Sequence, residues 1–354
     1  MKKNILVAMS GGVDSAVAAL LLKENNNIGG ITMRVWSDSE ELHDCVSPCS
    51  DTNCIEARAI SDILGIPHHT VSYGDSFKSK VVNRFLDDYI NGRTPNPCVE
   101  CNKHIKFGLL YKSAKELGYD YIATGHYARI EQDENGRFLL KKAKDINKDQ
   151  SYFLWAIDKS LLPYIIFPLG GYEKPAIRDI AKQHVFSNAQ RADSQDICFI
   201  EKGDYVSFIH KYSSNEFPMG NFIDTEGNVL GRHSGIINYT VGQRKGLGIA
   251  LGKPMFVCQK NITDNTVTLC SDEQLYKNSL EATDINILTE ISFDVPTRLQ
   301  VKIRYRHTPA WATVTKKDEN TLSVKFDLPQ RAIAQGQSMV MYYGDIVVGG
   351  GIIK

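Results

Sequence analysis

The chain has no excess of either charge. Of its 354 residues, 41 are Lys or Arg and 41 are Asp or Glu, so the formal net charge is zero. Bulk positive charge is therefore excluded as a route to nucleic acid, and any such contact must come from a local basic face. No run approaches the ~18 consecutive apolar residues of a transmembrane helix. The opening Met1-Lys2-Lys3 resembles a signal n-region, but the apolar stretch behind it, Ile5 to Met9, is too short and breaks at Ser10-Gly11-Gly12. No export signal is expected, and the expected compartment is the cytoplasm. Internal repeats and low-complexity tracts are absent. Two familiar nucleotide signatures are missing too: no lysine stands in the glycine loop as a Walker motif requires, and there is no G-x-G-x-x-G.

What is present is ordinary globular composition, 42% hydrophobic and 23% charged. At roughly 150 residues per domain, the length suggests two or three domains. Eight cysteines stand at 45, 49, 54, 98, 101, 198, 258 and 270. Without an export signal they are expected to be free, catalytic or metal-bound rather than structural disulfides.

The first ~200 residues alternate strand and helix patterns. Ile5 to Met9 is a continuous apolar run, as in a buried parallel strand. A helix follows over 14–23, a strand over 29–35, a helix over 53–64 and a strand over 68–73. An amphipathic helix is expected over 76–90, a Gly/Pro-punctuated loop over 91–102, a helix over 104–117 ending at Gly118, and a strand over 121–124. This βαβ rhythm predicts an α/β fold, an N-terminal doubly wound parallel sheet. Residues 212–248 carry few helix signals, and strand patterns dominate from Met255, including 299–306, 311–314, 322–326 and 338–343. The expected organisation is a sheet domain (1–205), a small linking domain (206–278) and a C-terminal β-barrel (279–354).

The sharpest motif is Ser10-Gly11-Gly12-Val13-Asp14-Ser15, directly after the first strand and opening a helix. Two glycines permit a tight turn whose backbone N–H groups face an anion, and the helix N-terminus adds its positive dipole end. Ser10 and Ser15 add hydroxyls. Asp14 is placed to cap the helix or to hold Mg²⁺. S-G-G-x-D-S in this context resembles the PP-loop ATP pyrophosphatases, whose fold is of the adenine nucleotide alpha hydrolase type. The resemblance implies ATP as cofactor, cleavage between its α- and β-phosphates, and an oxygen activated as an adenylate. The loop alone does not choose the nucleophile.

Further strings narrow the resemblance. They are Thr94-Pro95-Asn96-Pro97-Cys98-Val99-Glu100-Cys101-Asn102 leading into Ile105-Lys106-Phe107, Ala123-Thr124-Gly125-His126-Tyr127, Lys148-Asp149-Gln150-Ser151-Tyr152-Phe153, Asp193-Ser194-Gln195-Asp196-Ile197-Cys198-Phe199, Tyr239 to Gly246, and Gly349-Gly350-Gly351. Together they resemble the tRNA-specific 2-thiouridylase family over essentially the whole chain. That resemblance implies adenylation of the C2 oxygen of the wobble uridine in tRNAs of the Lys, Glu and Gln class. It makes Cys198 the persulfide carrier and Cys101 the nucleophilic partner thiol. Sulfur arrives from a cysteine desulfurase or a relay protein. The implied ATP contacts are Ala8, Met9, Ser10, Gly11, Gly12, Val13, Asp14, Ser15, Met33 and Gly125. The implied tRNA contacts are His126, Lys148, Asp149, Gln150, Ser151, Arg304, Tyr305, Arg306 and Gln337, and the target base is expected to flip from its stack.

Several readings stand on the residues themselves. Cys101 lies just before an expected helix start carrying Lys103 and Lys106, so a dipole and two cations are available to lower its thiol. On an expected strand Val301–Arg306, alternation puts Lys302, Arg304 and Arg306 on one face, a stripe suited to phosphates. Arg244 and Lys245 are further candidates.

One position departs from the family pattern: Cys98 stands where Asp is common, giving C-x-x-C. Three readings stay open: a family variant without a separate role, a resolving disulfide with Cys101, or a [4Fe–4S] cluster on Cys98, Cys101 and Cys198. Cys45, Cys49 and Cys54 form C-x₃-C-x₄-C, which fits no zinc rule well and needs a fourth ligand such as His43. The rival functions are a cluster-dependent tRNA thiolase, another PP-loop ligase that forms amides, and a non-catalytic RNA-binding module.

Overall fold

The computed structural model describes residues 2–36, 51–184, 186 and 196–354. Cys45, Cys49, His43 and the Asp193-Ser194-Gln195 stretch lie outside the described residues. The chain divides into two compact units. The first holds residues 1–82, 97–200 and 345–347, and the second 83–96, 201–344 and 348–354.

In the first unit, β1 (Asn4–Ala8) leads to α1 (Val13–Lys23), β2 (Asn27–Arg34), α2 (Asp51–Leu64) and β3 (His68–Ser72). Helix α3 (Gly74–Phe77) runs into a π-helical turn (Lys78–Val82), and the chain continues as α4 (Asn83–Ile90) of the second unit. It returns with α5 (Pro97–Glu100), a π-helical stretch (Cys101–Leu109) and α6 (Leu110–Glu116). Then come β4 (Tyr121–Ala123), an antiparallel hairpin of β5 (Ala128–Gln132) and β6 (Phe138–Lys142), β7 (Ile165–Ile166) and α7 (Lys174–Gln183). The parallel sheet has the order β3-β2-β1-β4-β7. Ile5, Leu6 and Val7 are all fully buried, as a central parallel strand covered on both faces requires. The order reverses on either side of β1, so the carboxyl ends of β1 and β4 border the switch point where such sheets bind ligands. The core beneath joins Ile5, Val7 and Met9 to Ala16, Val17 and Ala19 of α1, Ala57 and Ile60 of α2, and Ile177 and Ala181 of α7. Small alanines on α1 let the helix lie close on the sheet.

Two expectations about helices need correction. The helix expected over 76–90 is broken by the π-helical turn at Lys78–Val82. The loop expected over 91–102 ends early, because Pro97 opens a helix. Proline lacks an N–H that the first helical turn does not use, so it starts helices as readily as it ends them.

The second unit contains α8 (Tyr205–Tyr212) and a four-stranded sheet of β8 (Gly220–Ile223), β9 (Val229–His233), β10 (Phe256–Asn261) and β11 (Thr266–Cys270), in the order β10-β11-β8-β9. Cys258 and Cys270, on paired strands with Cα atoms 5.9 Å apart, form a disulfide, so the expectation of no structural disulfide is corrected here. The remaining strands are β12 (Tyr276–Ile287), β13 (Thr297–Lys302), β14 (Ala310–Asp318), β15 (Thr321–Arg331), β16 (Ser338–Tyr343) and β17 (Ile346–Ile353). They run β12-β15-β14-β13-β16-β17, and β17 pairs back to β12, closing a six-stranded barrel. Leu299, Val301, Val314, Val324, Met341 and Val348 fill its interior by alternation along the strands. Among the described residues no helix is long and apolar enough to cross a membrane.

Candidate active site

The loop Ser10–Ser15 sits at the carboxyl end of β1. Gly11 has φ +71°, a left-handed conformation that other side chains resist, and a Cβ there would meet the Asn53 carbonyl oxygen at 2.7 Å. Gly12 caps α1 without a side chain, leaving the first N–H groups of the helix open. The Ser15 hydroxyl folds back on the loop: it donates to the Gly12 carbonyl at 3.0 Å and accepts from the Ser10 N–H at 3.2 Å. The Ser10 and Ser15 hydroxyls stand 3.4 Å apart. Met9 is held by backbone and side chain, its N–H donating to Ile31 (2.8 Å) and its carbonyl accepting from Thr32 Oγ1 (2.9 Å).

Ala8 pairs with Ile31, and Met33 lies two residues beyond on β2, opposite Val71. Gly125 follows β4, packed so tightly on the start of α1 that a Cβ would come within 2.9 Å of the Asp14 carbonyl carbon. Ala8 to Ser15, Met33 and Gly125 thus gather on one edge of one sheet. Glycines that bare backbone N–H groups beside a helix N-terminus fit the phosphates of a nucleotide such as ATP.

The acidic member of the loop is fully engaged. Both carboxylate oxygens of Asp14 accept from Lys174 Nζ at 2.8 Å, and Oδ1 also accepts from the Tyr127 hydroxyl at 2.8 Å. Its oxygens thus face a cation of the protein. Among the described residues no group of three or more His, Cys, Asp or Glu side chains is arranged to hold a metal. Since Cys98, Cys101 and Cys198 are all described, the residues as arranged do not fit a three-thiolate cluster.

Cys98 is in the first turn of α5, and Cys101 opens the π-helical stretch three residues on. Cys101 is therefore already inside the helix, and the expected dipole effect of a helix start at Lys103 does not reach it. Cys98 is exposed at its surface, yet its packing raises the thiol pKa, with the Lys106 ammonium opposing that rise. Lys106 also reaches His126 Nε2 at 3.4 Å, and His126 Nδ1 lies 2.7 Å from Thr124 Oγ1. An ammonium only donates, so Nε2 accepts and the ring proton sits on Nδ1, donated to Thr124. Burial, then the Lys106 charge, hold the His126 pKa well below the ordinary range, so the imidazole is neutral at pH 7.

Cys198 is exposed. Its neighbour Phe199 is buried against Phe77 (5.6 Å between ring centroids) and Trp36 (6.2 Å), which anchors the chain beside the thiol.

The residues expected to meet RNA divide by exposure. Asp149 and Ser151 are buried: Asp149 Oδ1 accepts from the Ala143 N–H, and Oδ2 from the Ser151 hydroxyl at 2.8 Å. Their side chains shape this segment from inside. Lys148 and Gln150 flank them partly exposed, and Gln150 Oε1 accepts from the Tyr127 N–H. Strand β13 ends at Lys302, so the common face expected for Lys302, Arg304 and Arg306 does not extend through 303–306, which bend away. Arg304 donates to the Arg331 carbonyl, Tyr305 lies under Lys302 Nζ at 5.6 Å, and Arg306 is exposed. The half-buried Gln337 amide donates to the Thr94 and Pro95 carbonyls. Arg244 and Lys245 are exposed.

Sequence reasoning did not single out Lys174. The hint available was Glu173-Lys174-Pro175 at a helix start, in a chain whose phosphate loop lacks its own lysine.

Comparison with known proteins places this geometry in a family. Three family models match in succession: a tRNA methyl transferase HUP domain over residues 3–202, a tRNA methyl transferase PRC-barrel domain over 206–271, and an aminomethyltransferase beta-barrel domain over 277–353. The chain is 47% identical to the tRNA-specific 2-thiouridylase MnmA of Clostridioides difficile strain 630, covering 100% of this chain and 99% of that protein. It is 45% identical to the protein of the same name from Acetivibrio thermocellus, again over 100% and 99%, and 44% identical to that of Clostridium perfringens, at the same coverage. The chain belongs to the MnmA family of tRNA-specific 2-thiouridylases.

Proposed function

We propose that this protein is an ATP-dependent tRNA-uridine 2-sulfurtransferase of the cytoplasm. The observation that carries the reading is the Ser10–Ser15 loop, open at the sheet's switch point on the same unit as Cys101 and Cys198. The loop amides hold the departing pyrophosphate, while Met33 and Gly125 frame the adenosine end of ATP. Mg²⁺ comes with the phosphates and screens their charge. The C2 oxygen of the wobble uridine, in tRNAs of the Lys, Glu and Gln class, attacks the α-phosphorus and pyrophosphate leaves.

Cys198 carries sulfur as a persulfide received from a cysteine desulfurase or relay protein. The Cys101 thiolate attacks the inner sulfur, closing a Cys101–Cys198 disulfide and releasing sulfide. Sulfide adds to C2, AMP leaves with the original oxygen, and 2-thiouridine remains. A thiol reductant donates two electrons to reopen the disulfide. His126, neutral and proton-bearing on Nδ1, keeps a second positive charge out of the site, while Lys148, Gln150, Arg304, Tyr305 and Arg306 serve tRNA binding.

The deciding experiment is anaerobic incubation with ATP, Mg²⁺, a sulfide source and unmodified tRNA, followed by mass spectrometry of the digested nucleosides. 2-Thiouridine formed without iron is the expected product. AMP without 2-thiouridine would retain the activation step and reject the acceptor. Product only after iron reconstitution would restore the cluster reading.

A further inference from the structure

A buried lysine is an unusual companion for a phosphate loop's carboxylate. Lys174 has 7% of its side chain exposed and Asp14 31%, although the lysine belongs to a helix start 160 positions away. Three features lock it there. Its backbone N–H donates to Asp145 Oδ2 at 3.1 Å, Pro175 fixes the helix start behind it, and its ammonium lies 5.6 Å from the Tyr127 ring centre. Burying an ion pair costs desolvation that its mutual attraction often fails to recover, so such a pair needs a reason beyond stability.

The position of Asp14 supplies one. It stands in the first turn of α1, at the end of the helix that presents its N–H groups to an anion. A carboxylate there is attracted by the same dipole that must attract pyrophosphate, and it repels the phosphates from a few ångströms away. An ammonium that takes both of its oxygens removes the competition and cancels the repulsion. The Tyr127 hydroxyl completes the shell, and Tyr127 lies two residues beyond Gly125, which packs on the same turn.

We propose that Lys174 is a positioning residue for the ATP-dependent step: it neutralises and pins Asp14, so that the Ser10–Ser15 loop stays open to the pyrophosphate end of ATP. This rests on the reading of the loop as an ATP site. It assigns Lys174 the electrostatic work that a loop lysine performs in other phosphate-binding loops, but through a carboxylate instead of on the phosphate.

The test is calorimetric titration of the full chain with inorganic pyrophosphate and with a non-hydrolysable ATP analogue, alongside steady-state AMP formation. Lys174→Met should weaken both ligands at least tenfold and raise KM for ATP more than it lowers kcat. The double variant Asp14→Asn/Lys174→Met, with both charges gone, should recover pyrophosphate binding to within threefold of the parent. Recovery is the readout that a purely structural role would not give. Parent-like binding by Lys174→Met overturns the proposal. So does a double variant as weak as the single one, which would put the ammonium directly on the phosphate. Should Lys174→Met not fold, the uncharged double variant decides alone, with tenfold weaker binding overturning the proposal. Failure of the parent protein to bind either ligand would instead overturn the ATP site itself.

Discussion

The side-chain amide of Gln337 donates to the carbonyls of Thr94 and Pro95, at 2.9 and 3.1 Å, across more than 240 positions of sequence. The Thr94 N–H returns a bond to the Gln335 carbonyl at 2.8 Å. Gly336 makes this possible: its φ is +86°, and a Cβ on it would lie 3.0 Å from the Thr94 nitrogen. Gln337→Leu should therefore strand two carbonyls for about 1–3 kcal/mol. Thermal unfolding should show a fall in Tm of several degrees, and an unchanged Tm would mean that water replaces the amide.

Gly125→Ala sets a side chain against backbone rather than against a yielding side chain, 2.9 Å from the Asp14 carbonyl carbon and 3.0 Å from the Ser15 nitrogen. The start of α1 must then move, and the loop amides with it. A loss of tenfold or more in ATP-to-AMP turnover is expected, with far-UV circular dichroism little changed. Full turnover would show that the loop tolerates the shift.

Cys198→Ser and Cys101→Ser should each abolish 2-thiouridine formation while leaving adenylation detectable by pyrophosphate release. Cys98→Ser should keep at least a tenth of the parent's activity, because packing holds that thiol protonated and it is a poor nucleophile at pH 7. Loss of all product in Cys98→Ser would give Cys98 a role of its own in sulfur transfer.

His126 has its pKa lowered by burial and then by Lys106. The unfolded chain therefore takes up a proton near pH 6.5 that the folded chain refuses. The stability linked to this group is whole above pH 6.5 and is lost as pH falls below it. His68, His233 and His307 are shifted the same way, burial leading in each. Unfolding free energy from urea titrations should drop between pH 7 and pH 5. Lys106→Gln should move the His126 titration upward in an NMR pH series, and an unmoved curve would remove Lys106 as a cause.

Lys260, on β10, has a buried ammonium without a hydrogen-bond partner among the described residues, 6.0 Å from the Tyr89 ring centre, and burial lowers its pKa to about 8. Between that value and the unfolded value near 10.5 the unfolded chain holds more protons, so stability rises with pH over that window. Lys260→Met should stabilise the protein at pH 7 by about 1–3 kcal/mol, with the gain fading above pH ~10. A destabilised variant would indicate that the ammonium works on something bound.

Much of the first unit is legible in the sequence because its signals are local. Ile5-Leu6-Val7 announces a strand buried on both faces, and the Gly-Gly after it can serve only a tight turn. Where a residue has two meanings, the sequence misleads. Pro97 reads as a breaker but starts a helix, which turns Cys98 and Cys101 from loop cysteines into helical ones. The Asn135-Gly136 turn of the β5–β6 hairpin is a strong local signal that helix-and-strand alternation overshadows. The strand pattern of 299–306 continues past Lys302, but the backbone does not, so alternation stops assigning faces there. Asp149 shows that a charged residue in a polar motif can be an internal strut. Lys174 is out of reach for a different reason: nothing local tells a lysine which carboxylate, 160 residues earlier, it will meet.

Asp345 to Val347 belong to the first unit although nearly the whole of the second precedes them in the chain. Asp345 accepts from Arg129 at 2.6 Å, its carbonyl accepts from the Lys142 N–H at 2.8 Å, and Ile346 pairs with Lys141. During synthesis, then, the nucleotide-binding part cannot be finished when its own helices and strands have left the ribosome. At ~5–20 residues per second it waits roughly ten seconds or longer for its last three residues. A nascent chain stalled before that point has a complete phosphate loop and an unfinished edge, so an early halt in translation yields no separately finished ATP-binding fragment.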